Sequence, residues 1–450
     1  MNELSYLEKL LDGAEVEWLP LGDISEIYGG LTGKTKSDFD GGNAKYISYK
    51  NIFSCIDINQ IPEDTVKVGE GESQHRVRYG DVLFTGSSEI AEEAGMSSAI
   101  TIEFDEPVYL NSFSFGVRFN EGINIIPEFS KYLFRTNFMR AEISKTASGV
   151  TRFNISKARF RKLLIPIISP NNPEKSLAIQ SEIVRILDKF TALTAELTAE
   201  LTARKKQYNY YRDQLLSFEG DKRESYLGKL LDGAEVEWLP LGDISEIYGG
   251  LTGKTKSDFD GGNAKYISYK NIFSCIDINQ IPEDTVKVGE GERQHRVRYG
   301  DVLFTGSSEI AEEAGMSSAI TIEFDEPVYL NSFSFGVRFN EGINIIPEFS
   351  KYLFRTNFMR AEISKTASGV TRFNISKARF RKLLIPIISP NNPEKSLAIQ
   401  SEIVRILDKF DTLTSSISEG LPREIELRQK QYEYYRDLLF SFPKPESVTN

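Results

Sequence analysis

The chain has 450 residues, of which 40% are hydrophobic and 26% charged, a balance typical of a folded protein with room for two to four domains. No apolar run approaches the ~20 residues that a membrane helix requires. We therefore expect a cytoplasmic protein with no membrane partner, and the charged N-terminus predicts no signal peptide. The net charge of −11 argues against nucleic-acid binding, unless the cations cluster on one face.

Each half of the chain begins with a β-rich region, at about 14–168 and 234–388. Aromatic and β-branched residues separated by glycine turns predict short strands at Ile24–Tyr28, Lys45–Tyr49, Asp81–Thr85, Val108–Leu110 and Ser114–Phe119. A helical pattern over Pro127–Lys145 interrupts them. The pattern indicates a compact mixed α/β domain, with one small buried cysteine per copy, Cys55 and Cys275.

A long helix follows each domain. Ser176–Phe218 contains no glycine or proline and carries one apolar stripe, so it predicts a helix of ~60 Å that needs a partner. The obvious partner is the second helical region, 397–442, in which Gly420 and Pro422 predict a break or kink. Its stripe comprises Ile399, Ile403, Leu407, Phe410, Leu413, Ile417 and Leu421.

The two halves are copies of one another. Residues 9–190 recur at 229–410 with a constant offset of 220, and the only difference within this span is Ser73 against Arg293. A duplicated domain places two identical surfaces around an approximate two-fold axis, as proteins that read two-fold DNA targets do.

Four basic clusters stand out in each copy. The loop Gly29–Thr35 ends like a phosphate-binding loop, but Tyr28 occupies the position of its first glycine; it is either a flexible basic loop or the site of a nucleotide hydrolase. The segment 149–154 leads into a basic stretch, 155–164, interpreted as a solvated basic helix face or as a DNA contact, because Arg and Asn pair with guanine and adenine edges.

The other two clusters are Gln74–Tyr79, whose Arg76 and Arg78 share a face if the segment is extended, and the aromatic-basic group at 45–50. Together, the four clusters favour a nucleic-acid surface. The predicted DNA-binding residues are Lys34, Lys36, Lys45, Tyr49, Lys50, Arg76, Arg78, Thr151, Arg152, Asn154 and Lys157, with their copies Lys254, Lys256, Lys265, Tyr269, Lys270, Arg296, Arg298, Thr371, Arg372, Asn374 and Lys377.

The chain contains few of the residues that metal sites or histidine-based catalysis require. Two cysteines and two histidines per chain are too few for a disulfide framework or a zinc site. The acidic group Glu89, Glu92 and Glu93 is interpreted as acidic surface. No methyltransferase signature or glycine-rich cofactor loop is present, so we expect no catalytic centre and no metal site.

The order of these parts resembles the DNA-specificity subunits of type I restriction-modification enzymes. The resemblance rests on a domain ending in Leu163–Pro166, a helix opening at Ile179–Asp188, the strand motif Gly80–Phe84, and the repetition of the whole unit. It covers essentially the whole chain. One departure is that members of this family usually carry two different recognition domains.

The resemblance implies an α+β fold, a tandem duplicate of a mixed α/β recognition domain and long helix, with the two helices pairing as an antiparallel coiled coil. The domains would span 1–170 and 220–390, and the helical spacers 171–219 and 391–450. The implied partners are double-stranded DNA, two methyltransferase subunits with S-adenosylmethionine, and restriction/translocase subunits with ATP and magnesium. A protein-only scaffold and a nucleotide hydrolase remain as alternatives.

Overall fold

A computed structural model describes residues 6–39, 41–218, 220, 224–259, 261–416 and 418–444. Ile417 of the predicted stripe lies outside these residues. The described chain divides into two compact units. Unit 1 comprises Met1–Leu197 with Ile425–Asn450, and unit 2 comprises Thr198–Glu424. Each unit therefore contains one β-rich domain together with parts of both helical regions.

The β-rich domain of unit 1 contains short strands and helices in alternation. Its strands are β1 Val16–Pro20, β2 Ser25–Gly29, β3 Ala44–Ile47, β4 Asp57–Ile58, β5 Thr65–Val66, β6 Val82–Thr85, β7 Ser87–Ser88, β8 Ser97–Ile100, β9 Val108–Leu110, β10 Ser114–Phe119, β11 Ala147–Ser148, β12 Phe153–Ile155 and β13 Leu164–Ile168. Its helices are α1 Tyr6–Leu11, α2 Leu21–Ile24, α3 Tyr49–Ser54, α4 Pro127–Leu133, α5 Asn137–Lys145 and α6 Lys157–Phe160.

The same elements recur 220 residues later in unit 2. Its strands are β14 Val236–Pro240, β15 Ser245–Gly249, β16 Ala264–Ile267, β17 Asp277–Ile278, β18 Thr285–Val286, β19 Val302–Thr305, β20 Ser307–Ser308, β21 Ser317–Ile320, β22 Val328–Leu330, β23 Ser334–Phe339, β24 Ala367–Ser368, β25 Phe373–Ile375 and β26 Leu384–Ile388. Its helices are α8 Tyr226–Leu231, α9 Leu241–Ile244, α10 Tyr269–Ser274, α11 Pro347–Leu353, α12 Asn357–Lys365 and α13 Lys377–Phe380.

The strands of each domain form four small sheets. The largest has five strands in the order β2-β10-β6-β8-β4, and two three-stranded sheets have the orders β5-β3-β9 and β11-β12-β7. β1 pairs with β13 in antiparallel register, Val16 opposite Ile168, so the two ends of the domain are joined. The predicted mixed α+β fold is confirmed.

The predicted helical stretch 127–145 is confirmed, and it divides into two helices because the side chain of Thr136 accepts a hydrogen bond from the Met139 amide and starts α5 anew. Two local predictions are wrong. The stretch 155–164 is not one basic helix but the end of β12, the four-residue α6 and the start of β13. Cys55 and its copy Cys275 are exposed, not buried.

Both helical regions lie where the sequence predicts them. The first forms one unbroken helix, α7, over Pro173–Leu215, and the second divides into α14 Pro393–Ser415 and α15 Gly420–Leu439. Gly420 begins α15 with φ of +76°, and a side chain there would collide with the Thr412 carbonyl. The predicted break is therefore confirmed, with Pro422 tolerated in the first turn of α15, where proline leaves no backbone bond unmade.

Both units pair α7 with the second helical region. In unit 2, Tyr211 stacks on Phe410 with 5.4 Å between ring centroids, and Tyr208, one turn earlier on α7, lies near Asp411, one residue later on α14. Residue numbers thus rise on one helix as they fall on the other, as antiparallel pairing requires. In unit 1, the equivalent stacked pair is Phe190 and Tyr435, also at 5.4 Å.

The main core of unit 1 joins three sequence regions. A cluster of aromatic rings, Phe84, Phe115, Phe134 and Phe160, lies between the five-stranded sheet and α4 to α6. The buried face of α7, at Ile179, Ile183 and Leu187, packs against it, and so do Leu439, Phe440 and Phe442 from the end of the chain. Sequence from the second copy therefore completes the core of the first domain.

Candidate nucleic-acid interface

Two of the predicted DNA-binding side chains meet at Ser87 in β7. The hydroxyl of Tyr49, at the start of α3, donates to the Ser87 carbonyl at 3.0 Å, and Arg152 Nε donates to Ser87 Oγ at 3.1 Å. Asn154 pairs with Ser87 across β12 and β7, and its amide donates to the Arg152 carbonyl at 3.3 Å. We call Tyr49, Ser87, Arg152 and Asn154 the Ser87 cluster; the exposed side chains of Arg152 and Asn154 give it free hydrogen-bonding edges.

The backbone at this cluster is shaped by a glycine. Gly149 has φ of +148°, and a Cβ on it would collide with the Arg152 carbonyl, so the hairpin between β11 and β12 closes only with glycine here. The hairpin presents Val150 and Thr151 at its exposed tip. This turn explains why Arg152 faces Ser87 instead of lying on a helix.

Two half-buried arginines hold α3 and its neighbours in place. Arg135 donates to the carbonyls of Ile52, Cys55 and Ser97, and so binds the C-terminal end of α3, where free carbonyls carry partial negative charge. Burial lowers the pKa of Arg135 to about 10. Arg140 similarly binds the carbonyls of Glu92 and Ala94. Neither arginine was predicted from the sequence, since nothing in their local pattern distinguishes them from surface arginines.

A second group of predicted residues lies around Asp81. This carboxylate is buried and accepts two hydrogen bonds from the Arg118 guanidinium at 2.7 Å, one from the Tyr28 hydroxyl at 2.6 Å and one from the Arg78 amide at 2.8 Å. Burial and the Asp81 carboxylate raise the pKa of Tyr28 well above its usual value. Arg118 also donates to the Arg76 carbonyl at 3.0 Å.

This network fixes the backbone of Gln74–Tyr79 while the side chains of Arg76 and Arg78 stay exposed. Asp81 and Arg118 are therefore positioning residues for the segment. The sequence predicted the two exposed arginines of this segment. It did not predict the hydrogen-bond network that supports them, because Tyr28, Asp81 and Arg118 are distant in the chain.

The remaining candidates are dispersed. Lys36, Lys50 and Thr151 are exposed, Lys45 Nζ reaches the Glu63 carbonyl at 3.3 Å, and Lys157 Nζ lies 5.6 Å from the centroid of the Phe115 ring. None of these five belongs to the Ser87 cluster. Within the described residues, no group of three or more His, Cys, Asp or Glu side chains is arranged to hold a metal ion, and no described helix is long and apolar enough to cross a membrane.

Comparison with known proteins identifies the family. The model of the type I restriction modification DNA specificity domain matches this chain twice, at residues 14–204 and 234–427. The chain belongs to the type I restriction-modification specificity subunits. It is 37% identical to the EcoR124I/EcoR124II specificity subunit of Escherichia coli, over the full length of both chains, and 33% identical to the EcoprrI specificity subunit of the same organism, over 93% of each.

A solved chain of a type I restriction-modification system, from work on its assembly and conformational transition, shares the fold. Its TM-score is 0.62 at 16% identity, over 94% of this specificity subunit and 97% of that chain.

The second domain of this specificity subunit repeats the geometry of the first. Tyr269 donates to the Ser307 carbonyl at 3.0 Å and Arg372 Nε to Ser307 Oγ at 3.0 Å. Asp301 accepts from Arg338 and Tyr248 as Asp81 does. The one substitution, Ser73 to Arg293, adds an exposed cation to the second copy.

The nucleotide-hydrolase alternative finds no support in the loop Gly29–Thr35. Lys34 forms an ion pair with Glu72, and its side chain is only 6% exposed. The loop continues into a 3-10 helix over Lys36–Phe39, and the amide of Thr35 donates to the Asp38 carboxylate at 2.7 Å. A phosphate-binding loop needs a free lysine and an α-helix N-terminus, and this loop offers neither. A phosphate contact by Lys34 would require breaking its ion pair.

Proposed function

We propose that this specificity subunit is a non-catalytic DNA-reading component, in which each recognition domain reads one half of a split double-stranded target. The observation that supports it is the Ser87 cluster and its copy around Ser307. Both present arginine and asparagine edges, the groups that form paired hydrogen bonds with guanine and adenine. Their residues are identical, so the two half-sites are expected to be the same sequence on opposite strands.

Base and phosphate contacts are assigned to different residues. Arg152 and Asn154, with Arg372 and Asn374, are proposed to contact bases, because they are exposed at the end of a rigid hairpin. Lys50 and Arg76, with Lys270 and Arg296, are proposed to contact phosphates, which position a protein without specifying sequence. Lys34 and Lys254 keep this role only if DNA displaces Glu72 and Glu292.

The chemistry is proposed to reside on partner subunits. Two methyltransferase subunits would bring S-adenosylmethionine, and restriction/translocase subunits would bring ATP and magnesium, so that this chain itself binds no cofactor. Modification of a stacked base requires its extrusion into an enclosing pocket. The Arg152 and Asn154 side chains of the Ser87 cluster are instead exposed, as suits recognition of base edges in a groove.

Methylation mapping in cells tests this function. The chain is expressed with candidate methyltransferase subunits in a host lacking other adenine methylation, and modified bases are mapped across the genome. We expect one split motif to be methylated, and no methylation when the chain is omitted. Methylation of the same motif without the chain, or methylation with no sequence preference, would contradict the proposal. A protein-only scaffold predicts the latter result.

A further inference from the structure

Each recognition domain exposes a phenylalanine ring at the same position, and in the second domain this ring lies beside the arginine proposed to read bases. Phe113 is 68% exposed and Phe333 66% exposed. A single exposed apolar side chain is ordinary on a protein surface. What distinguishes this one is the support of its backbone and the chemistry of its neighbours.

The backbone that carries the ring is rigidly held. The Phe113 carbonyl accepts from the Gly86 amide at 2.8 Å, and the Phe113 amide donates to Asn111 Oδ1 at 3.0 Å. Asn111 is buried and donates in turn to the Ile47 carbonyl at 3.1 Å. The residue is therefore fixed in the short connection between β9 and β10 while its ring stays in solvent. Such preorganisation lowers the entropic cost of a contact made by the ring.

The ring lines a pocket with aromatic, cationic and acidic walls. In unit 2, the Arg372 guanidinium carbon lies 6.0 Å from the centroid of the Phe333 ring. Tyr269 and Phe273, stacked with 6.0 Å between centroids and 16° between ring planes, line the same pocket, and so does Glu309. Aromatic faces, a guanidinium and a carboxylate thus converge within one domain.

This combination matches the edges of bases in the major groove. There an apolar side chain contacts the C5-methyl of thymine, arginine pairs with guanine, and a carboxylate accepts from the cytosine amino group. The minor groove offers no methyl group, and its negative potential disfavours the acids that line the pocket. In the second copy, the acidic group that corresponds to 89–93, interpreted from the sequence as acidic surface, contributes Glu309 and Glu313 to the lining of this pocket.

We infer that Phe113 and Phe333 determine specificity: each ring contacts the C5-methyl of one thymine in its half-site, next to the base read by Arg152 or Arg372. The inference rests on the proposed function and adds a second base contact to each half-site. The sequence did not predict this contact, because its candidate base contacts were charged and amide side chains.

Replacement of thymine by deoxyuridine tests the contact, because it removes only the methyl group. The full chain, assembled with its methyltransferase subunits, is titrated with duplexes of the mapped target in which each thymine is replaced in turn. We expect one position per half-site to lower the affinity about fourfold, the fold-change for ~0.8 kcal/mol of buried methyl. The double variant Phe113→Ala with Phe333→Ala should bind both duplexes equally.

Two further variants give the controls. Ile61→Ala with Ile281→Ala removes apolar side chains that are also exposed, at 47% and 46%, from another loop, and should keep the discrimination. Phe113→Leu with Phe333→Leu keeps an apolar group and should retain most of it. The melting temperature of the Phe→Ala variant should be unchanged, because the rings are exposed.

Failure of the inference can be distinguished from failure of the proposed function. Full thymine discrimination in the Phe→Ala variant, no deoxyuridine effect at any position, or half-sites without thymine would each overturn the inference while leaving DNA recognition intact. Failure of the wild-type complex to prefer its mapped target over unrelated duplex would instead overturn the proposed function on which the inference rests.

Discussion

At the scale of single residues, Arg152 and its copy Arg372 carry the clearest prediction. The double variant Arg152→Ala with Arg372→Ala should relax the preferred base at matched positions of both half-sites, at a cost of ~1–3 kcal/mol per contact. The reason is that each guanidinium, oriented by a serine hydroxyl, is proposed to contact base edges. Binding to a library of single-base variants of the target measures the effect.

Lys50→Ala with Lys270→Ala provides the matched control for that prediction. A phosphate contact should weaken binding to all sequences alike and reduce the slope of log affinity against log salt by ~1 per lysine. A uniform loss of affinity in the arginine variant, with unchanged base preference, would show that the roles are wrongly assigned.

Asp81 is predicted to matter for stability. Asp81→Ala leaves the Arg118 guanidinium and the Tyr28 hydroxyl without their shared partner, and breaking a buried pair costs ~3–5 kcal/mol. We expect faster amide exchange in the segment Gln74–Tyr79 and weaker DNA binding, because Arg76 and Arg78 lose their backbone support. Hydrogen exchange measured by mass spectrometry checks this.

The duplicated chain supplies the reference for the Asp81 experiment. Peptides that include position 73 are distinguishable by mass, since one copy has serine and the other arginine. With Asp81→Ala alone, only the Ser73 peptide should exchange faster. Equal exchange of both peptides would mean that the network does not hold this segment.

At the scale of secondary-structure elements, the end of the chain is predicted to stabilise unit 1. Phe440 is buried, and its ring centroid lies 4.8 Å from that of Phe129. Phe440→Ala should lower the free energy of unfolding of unit 1 by ~3–5 kcal/mol, measured by thermal or denaturant unfolding. Phe440→Leu is the control, because leucine occupies the matching position, Leu216, in unit 2; it should cost less than ~1.5 kcal/mol. Equal melting of all three proteins would contradict the packing.

The helix α7 is predicted to set the gap between half-sites. Thr194–Leu201 is two identical Thr-Ala-Glu-Leu units inside an unbroken helix. A third unit adds ~6 Å and rotates the C-terminal part of the helix by ~40°, so the apolar stripe stays nearly aligned. We expect the unread gap in the methylated motif to lengthen by about one or two base pairs, at ~3.4 Å per step, with the half-sites unchanged.

An insertion of three residues is the control for the helix. It rotates the stripe by ~60° in the opposite sense and should be less well tolerated. Methylation mapping of the parent and both insertions gives the comparison. An unchanged gap with full activity would show that α7 does not set the distance.

At the scale of the whole molecule, identity of the two domains predicts the form of the target. Because both present the same residues, we expect a hyphenated inverted repeat, with half-site centres on one face of DNA about one turn, ~10–10.5 base pairs, apart. The methylated motif reports this directly. Two unlike half-sites would contradict it, and would require that the single difference, Ser73 against Arg293, or the partner subunits alter what one domain reads.

The sequence by itself determined the features that depend on local pattern. The repeat, the α+β character, the extent of α7 to within three residues, and the break at Gly420 follow from periodicity, from the lack of glycine and proline, and from the backbone freedom of glycine. Strands β9 and β10 were predicted to the residue, because turns bound a short apolar run on both sides. The family follows from the order of these parts.

Only the tertiary structure decided which distant residues meet. Tyr49 and Arg152 are far apart in the chain but share Ser87, and Arg118 reaches Asp81 across neighbouring strands of the sheet. Phe440 completes a core that begins with Leu7. Each of these contacts joins residues that are far apart in the sequence, and no local sequence pattern indicates which distant residue each one will contact. The segment 155–164 was interpreted either as a solvated basic helix face or as a DNA contact. Pairing of β12 with β7 and of β13 with β1 leaves room there for a single helical turn.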